Sequence, residues 1–465
     1  MKRAVALLLI TVTLCLTLPL HRSGAVEPSQ IRSSTAVLMD ASTGQVLYDK
    51  GMHHRVYPAS VTKILTALLA IENTHPHEIM TASATALDLP WYGAHIALVE
   101  GERLSVEDAI FAMMLPSAND ASNVLAEHVA GCLEAFAEMM NQRAYEIGAR
   151  NSNFTNAHGL HDENHFTTAY DMALITRYAM QNEEFRRYFG AAYHLMPATN
   201  KNTERNLHQM QYMLVYGIAG YDPEVTGGKV GFTNASRHTM STTATRDGRD
   251  LIAVVMYTGR WDKFLDTRAL LDFGFDEFVP IAVEAEEFMG GVVPIIQSGE
   301  EIGSASFEHN QTFTALIHVQ ANPSELQIQR ESPAYYVLGN TPPYTIRFEL
   351  AQPLPFVPAL LGEVVLEPYL DVPAIALMLP LEAPAPVPIW QRVLYVAGGV
   401  LGVILLLLAV LVLHRIRIMR RRRRRRMARF ELNYNQARQP DNTHVRHTPA
   451  GGHYARSGYT QRRAR

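Results

Sequence analysis

The 465-residue chain predicts an α/β (α+β) protein followed by a small β-rich region and one transmembrane helix. Three observations carry this. Strand-like runs stand at both ends of residues 33–278 with amphipathic helices between them, so one sheet must be assembled from distant parts of the chain. Residues 279–381 change to short alternating runs, the period of half-buried strands. Residues 393–413 carry no charge and would be about 31 Å long as a helix, which matches a bilayer core.

In chain order, a strand at 35–40, a turn at Ser42, Thr43 and Gly44, and a strand at 45–48 make a hairpin. Tyr57 and Pro58 end the extended stretch. The helix that opens near Ser60 takes one apolar face from Ile64, Leu65, Leu68, Leu69 and Ile71. Ser105, with Asp108 three residues on, is a capping box for a helix at 109–115. A helix at 120–130 stops at Gly131, and two more cover 133–147 and 169–180. Strands return at 226–230, 237–246 and 251–258, the last two joined by Asp247 and Gly248. A helix at 261–274 closes the unit near Phe278. Further strands fall at 312–319, 345–350 and 363–366, and the stretch 382–392, rich in Pro and Ala at its start, reads as a stiff linker.

The two ends of the chain set its topology. Lys2 and Arg3 precede an apolar run at 4–20 and a short stretch ending in Ser23, Gly24 and Ala25, a secretory signal peptide at 1–25. Cys132 alone remains after cleavage, so no internal disulfide forms, and its place beside Gly131 predicts a packed small residue. The tail, 414–465, has 16 Arg against Glu431 and Asp441, a formal charge of +14, whereas residues 1–413 carry −18. Positive charge stays cytoplasmic, so the acidic part is expected outside the bacterial cell membrane and the tail inside, against anionic lipid. An arginine run can also neutralise nucleic-acid phosphates, but its position directly after a span favours lipid, and no nucleic-acid partner is expected. Beyond Phe430 no apolar periodicity remains, and the tail reads as disordered.

Three short motifs carry chemistry. Ser60 and Lys63 are three apart at a helix start, where the amine can take the hydroxyl proton and exposed backbone N–H groups favour developing negative charge. Burial would lower the lysine pKa enough for it to act as a base at neutral pH. Ser117, Ala118 and Asn119 follow Pro116 in the break between two helices; the hydroxyl suits a proton relay from Lys63 and the amide suits a substrate carbonyl. Lys229, Val230 and Gly231 lie on a strand, where the lysine offers charge to an anionic substrate and the glycine lets another backbone approach. Each motif is common alone; their order is specific.

That ordered trio resembles the penicillin-binding proteins and serine β-lactamases, and most closely the low-molecular-weight D-alanyl-D-alanine carboxypeptidases. The resemblance covers about residues 33–278, through stretches such as YPASVTKILTALLAIE, LPSANDASNVLAEHVAG and GGKVGFTNASRHTMSTTATRDGRDLIAVVM. It implies a β-lactamase/transpeptidase-like fold, an antiparallel sheet flanked by helices. It implies Ser60 as the acylated nucleophile, Lys63 as its base, Ser117 and Asn119 in the cleft, Lys229 and Gly231 as the strand wall, and an oxyanion hole from the N–H groups of Ser60 and Phe232. The implied reaction attacks the bond between two terminal D-alanines of a peptidoglycan stem peptide, and β-lactams would acylate the same serine. A β-lactamase is disfavoured, because no acidic deacylation segment matches.

Two departures concern the substrate carboxylate. Val230 replaces the family's threonine, whose hydroxyl bonds that carboxylate; losing such a bond costs about 1.5–3 kcal/mol, roughly tenfold to hundredfold in kcat/KM. Thr233 is a candidate substitute hydroxyl. Lys201 falls where some members carry arginine, and keeps charge without the bidentate fork. The alternatives to a carboxypeptidase are therefore a low-turnover penicillin-binding wall scaffold or sensor, and a D,D-endopeptidase. His158, His161 and His165 have suggestive spacing but lack a carboxylate or cysteine set, and neither metal nor cofactor is expected.

Overall fold

The computed structural model describes residues 30–288 and 291–372, all of which belong to one unit of the chain. The signal peptide, linker, span and basic tail expected from the sequence lie outside the described residues. Among the described residues no helix is long and apolar enough to cross a membrane.

β1 (Thr35–Asp40) and β2 (Val46–Lys50) pair antiparallel, and β1 also pairs with β9 (Arg249–Thr258), more than 200 residues later. β8 (Arg237–Arg246) joins β9 to β7 (Val225–Thr233), giving the antiparallel order β2-β1-β9-β8-β7. The β8–β9 turn takes positive φ at Asp247 and Gly248, as the dipeptide predicts. Alternation splits the sheet's side chains between two cores. Val37, Met39, Ile252, Val254 and Met256 face one apolar cluster with α1 (Lys63–Asn73), α2 (Val106–Met114), α3 (Asn119–Ala130), α4 (Leu133–Ile147) and α5 (Ala169–Ala179). Ala36, Leu38, Ala253 and Val255 face a second with α7 (Asp262–Asp276). The sheet therefore lies between helices, as the resemblance implies.

Local chemistry sets the helix ends. Ser105 Oγ accepts from Asp108 N and donates to the Asp108 carboxylate, capping α2. Gly131 and Gly148 end α3 and α4 in the left-handed conformation. α6 (Glu183–Phe189), capped by Asn182, adds a helix too short to show a period in the sequence. Cys132 corrects an expectation. It is exposed, because it is the N-cap of α4, directly after the turn at Gly131, rather than part of a packed helix face.

The β-rich region begins with β10 (Phe278–Val283), which pairs with β13 (Phe313–His318). It continues as two three-stranded sheets, one containing β15 (Tyr344–Leu350) between its neighbours. It is tied to the first sheet by the Gln45 side chain, which donates to Leu316 O and accepts from Leu316 N, both at 2.7 Å, and by Phe356 stacked on Tyr48.

α7 crosses the sheet at Gly274, where an added Cβ would stand 2.6 Å from both Leu38 Cδ2 and Leu251 Cδ1. Gly274→Val is expected to overpack this contact and cost about 1–3 kcal/mol. Thermal unfolding checks it: an unchanged Tm would refute the close approach.

Candidate active site

The nucleophile's position is set by backbone geometry before any side chain is considered. Ser60 lies in a short 3-10 turn, Ala59–Thr62, that runs directly into α1. Ala59 has φ +51°, a left-handed conformation that costs a non-glycine residue on the order of 1 kcal/mol or more and persists only where its surroundings hold it. Two glycines do so. Gly159 presses on the turn so closely that a Cβ there would stand 1.9 Å from Ala59 O, and Gly231 of β7 so closely that a Cβ would stand 2.7 Å from Ser60 N. Thr239 of β8 donates to Pro58 O at 2.8 Å and anchors the turn from below.

Lys63 is wholly buried, with Nζ 3.1 Å from Ser60 Oγ, 2.7 Å from Asn119 Oδ1 and 2.5 Å from His158 O. A neutral amine has two N–H bonds and one lone pair. Asn119 Oδ1 and His158 O accept only, so they take the hydrogens and the lone pair faces the serine hydroxyl. Burial, and then the nearby Lys229 ammonium, hold the Lys63 pKa well below the ordinary lysine value, while Asp120 opposes them. Lys229, also wholly buried, is pushed down to about 7 by desolvation, and among the described residues only Val230 O accepts from it, at 3.3 Å.

Ser117 and Asn119 enter from the α2–α3 break. Ser117 has φ +68°, and among the described residues its buried Oγ has no hydrogen-bond partner, so it is a hydroxyl with unused capacity in a strained backbone. With Asn119 Oδ1 committed to Lys63, its Nδ2 is the group left to donate to a ligand. Gly93 leaves room beside that nitrogen, since a Cβ there would be 2.8 Å away.

The carboxylate-binding candidates fare less uniformly. Val230 is buried in the apolar cluster on the α7 side of the sheet, so its methyls fill space there. Phe232, next to Gly231, is half exposed and stacks on His238. Thr233, the candidate substitute hydroxyl, is engaged locally. Its Oγ1 lies 2.8 Å from Ser236 Oγ and accepts from Ser236 N, so it closes the β7–β8 turn. Lys201 stands exposed beside Gly101, on the turn that precedes β6 (Arg205–His208), and is not joined to the Lys63 network. The histidines do not gather either. Thr155 N donates to His165 Nδ1, which leaves Nε2–H to donate to Thr62 Oγ1, and burial pushes the ring down to about 4. His161 lies edge-on to Tyr57.

Two buried acids near the site had only weak sequence signals: Asp120, immediately after the second motif, and Glu102, which lies outside the Lys63 network and whose carboxylate bonds Thr199, Asn202 and Arg205.

A hydroxyl nucleophile, an adjacent buried amine, a second hydroxyl and a lysine-bearing edge strand define a serine acyl-transfer enzyme. The sequence profile of D-alanyl-D-alanine carboxypeptidases matches residues 22–259, and the chain belongs to that family. It is 29% identical to the D-alanyl-D-alanine carboxypeptidase DacF of Bacillus subtilis, covering 60% of this chain and 72% of that protein. It is 31% identical to DacD of Escherichia coli, covering 55% and 66% respectively. It is also 25% identical to a D-alanyl-D-alanine endopeptidase of Pseudomonas aeruginosa, covering 57% and 86%. The structure of penicillin binding protein 5 from Haemophilus influenzae has the same fold, with TM-score 0.57 over 74% of this chain and 98% of that one, at 24% identity.

Two outcomes follow from this geometry. Because Lys63 must be neutral to accept a proton and its pKa is lowered, the rate of Ser60 acylation should rise with pH and level off well below pH 10.5; a rise continuing to that value would contradict the lowered pKa. Gly159→Ala should displace the Ala59–Ser60 peptide and reduce acylation at least tenfold, read as the second-order rate with a fluorescent penicillin.

Proposed function

We propose that the protein is a serine D,D-carboxypeptidase that removes the terminal D-alanine from peptidoglycan stem peptides. The observation that carries this is the buried Lys63 amine, 3.1 Å from Ser60 Oγ with both its hydrogens directed elsewhere. Ser60 Oγ attacks the carbonyl carbon between the two D-alanines as Lys63 takes its proton. The oxyanion receives hydrogen bonds from Ser60 N, unused within its own turn, and Phe232 N. The proton passes through Ser117 to the leaving D-alanine amine, and water then hydrolyses the ester by the reverse relay. Lys229 and the Asn119 amide position the substrate, and β-lactams acylate the same serine.

The export signal, the uncharged run at 393–413 and the arginine-rich tail support a single-pass protein of the bacterial cell membrane, with the enzyme outside, the tail inside and a role in wall remodelling. A second reading has an observation of its own. Val230 offers no hydroxyl to a free carboxylate, which favours low turnover, as in a penicillin-binding scaffold or sensor, or an endopeptidase substrate.

The full-length protein should be labelled by fluorescent penicillin and should release D-alanine from a stem pentapeptide. Unlabelled wild type, or Ser60→Ala labelled as strongly, would sink the acyl-enzyme. Val230→Thr should raise D-alanine release several-fold; an equal or lower rate would remove the third motif from the account of turnover.

A further inference from the structure

The loop between β3 (Ile79–Thr81) and β4 (Arg103–Ser105) passes directly beside the site, and one buried side chain governs how it does so. Asp120 is the second residue of α3, immediately after Asn119, and is almost wholly buried. Its carboxylate accepts from Ile96 N at 3.2 Å, from Leu98 N at 3.0 Å and from Ala121 N at 2.9 Å. Among the described residues no lysine, arginine or histidine forms an ion pair with it, so these amides solvate its charge. The same loop returns a bond, Asn119 N to Ala94 O at 2.8 Å. Asn119 and Asp120 therefore form one junction. One side chain bonds Lys63, and the next holds the loop wall of a cavity of about 220 Å³ lined by Leu89, Trp91, Gly93 and Asn119.

We propose that Asp120 is a positioning residue for acyl transfer: its carboxylate fixes the 93–98 segment against α3, so that Asn119 is held on Lys63, and lays one negative charge near the buried Lys63 amine. The assignment rests on Ser60 being the acylated nucleophile. Four charged or titratable groups face Lys63. Lys229 comes from β7, Asp120 from α3, and His158 and His165 from the chain between α4 and α5. Asp120 is the only acid of the four. Burial and the Lys63 charge keep His158 well below its usual value, so neither histidine supplies a competing titration near neutral pH.

The sign follows from that arrangement. A carboxylate favours the ammonium form of Lys63, so removing its charge lowers the Lys63 pKa further. Removing it also breaks the loop anchor, since an amide side chain must aim its own N–H groups at some of the donors. Asp120→Asn should therefore do two separable things. The plateau rate of Ser60 acylation by penicillin falls roughly tenfold to hundredfold, and the acid limb of its pH profile moves to lower pH. Glu102→Gln is the control. Glu102 holds the same loop at Val99 N but is not part of the Asn119–Asp120 junction, so it should slow acylation less and leave the limb in place.

The comparison uses the full-length protein and fluorescent penicillin across pH 5–9, beside wild type. Labelled wild type with an unchanged rate and limb in Asp120→Asn overturns the proposal, and a lower rate with an unmoved limb reduces Asp120 to a packing residue. Failure of wild type to label would instead fall on the proposed function. If Asp120→Asn does not fold, hydrogen exchange in wild type decides: the Ile96 and Leu98 amides should be protected, and free exchange at both would overturn the anchor.

Discussion

Lys63 Nζ is the point on which the site depends. An amine taken wholly out of water has no solvent to stabilise its charge, so its protonation state is set by what the protein places around it. The protein supplies two oxygens that can only accept, Asn119 Oδ1 and His158 O, and leaves the third direction to a hydroxyl that can give up its proton. Every element nearby is arranged around this demand. The 3-10 turn delivers Ser60 and the start of α1 delivers Lys63, the α2–α3 break delivers Asn119, and the chain before α5 delivers the His158 carbonyl, next to Ala157, whose own carbonyl accepts from Thr66 Oγ1. Lys229 then adds a second buried cation that opposes protonation of the first.

Two strained backbone positions flank the chemistry. Ala59 and Ser117 are both non-glycine residues at positive φ, and they adjoin the nucleophile and the relay hydroxyl. Together they cost on the order of 2–6 kcal/mol, comparable to half the net stability of a typical domain. Such conformations persist because the rest of the fold over-determines them, here for Ala59 through β7 and β8 of the sheet and the close approaches at Gly159 and Gly231.

Much of this was legible in the sequence, and the parts that were not have identifiable causes. The long helices and the β7–β9 strands showed because apolar period and turn residues agreed, and the three motifs showed because their order is improbable by chance. The fate of individual side chains at the third motif did not show. Thr233 looked available because its spacing from Gly231 suits a cleft, but a hydroxyl three residues before Ser236 closes a local turn first. Lys201 looked aligned with a carboxylate site, yet its place depends on the path of the chain from β5 (Tyr193–Met196) to β6, for which the sequence has no periodic signal. Asp120 was hidden because its partners, the Ile96 and Leu98 amides, have no side-chain identity to read.

The close approaches at Gly159 and Gly231 have a consequence for how such a chain can change over generations. Each is a place where adding one methyl group collides with the backbone of the nucleophile turn, so neither position has a neighbouring sequence that keeps Ser60 where it is. Lys201 and the exposed rings of Trp91 and Tyr92 are under no such restriction, since solvent rather than packed backbone surrounds them. Descent can therefore revise what the enzyme grips while the reacting atoms stay in register, and paralogues sharing this turn are expected to diverge in diet before they diverge in chemistry.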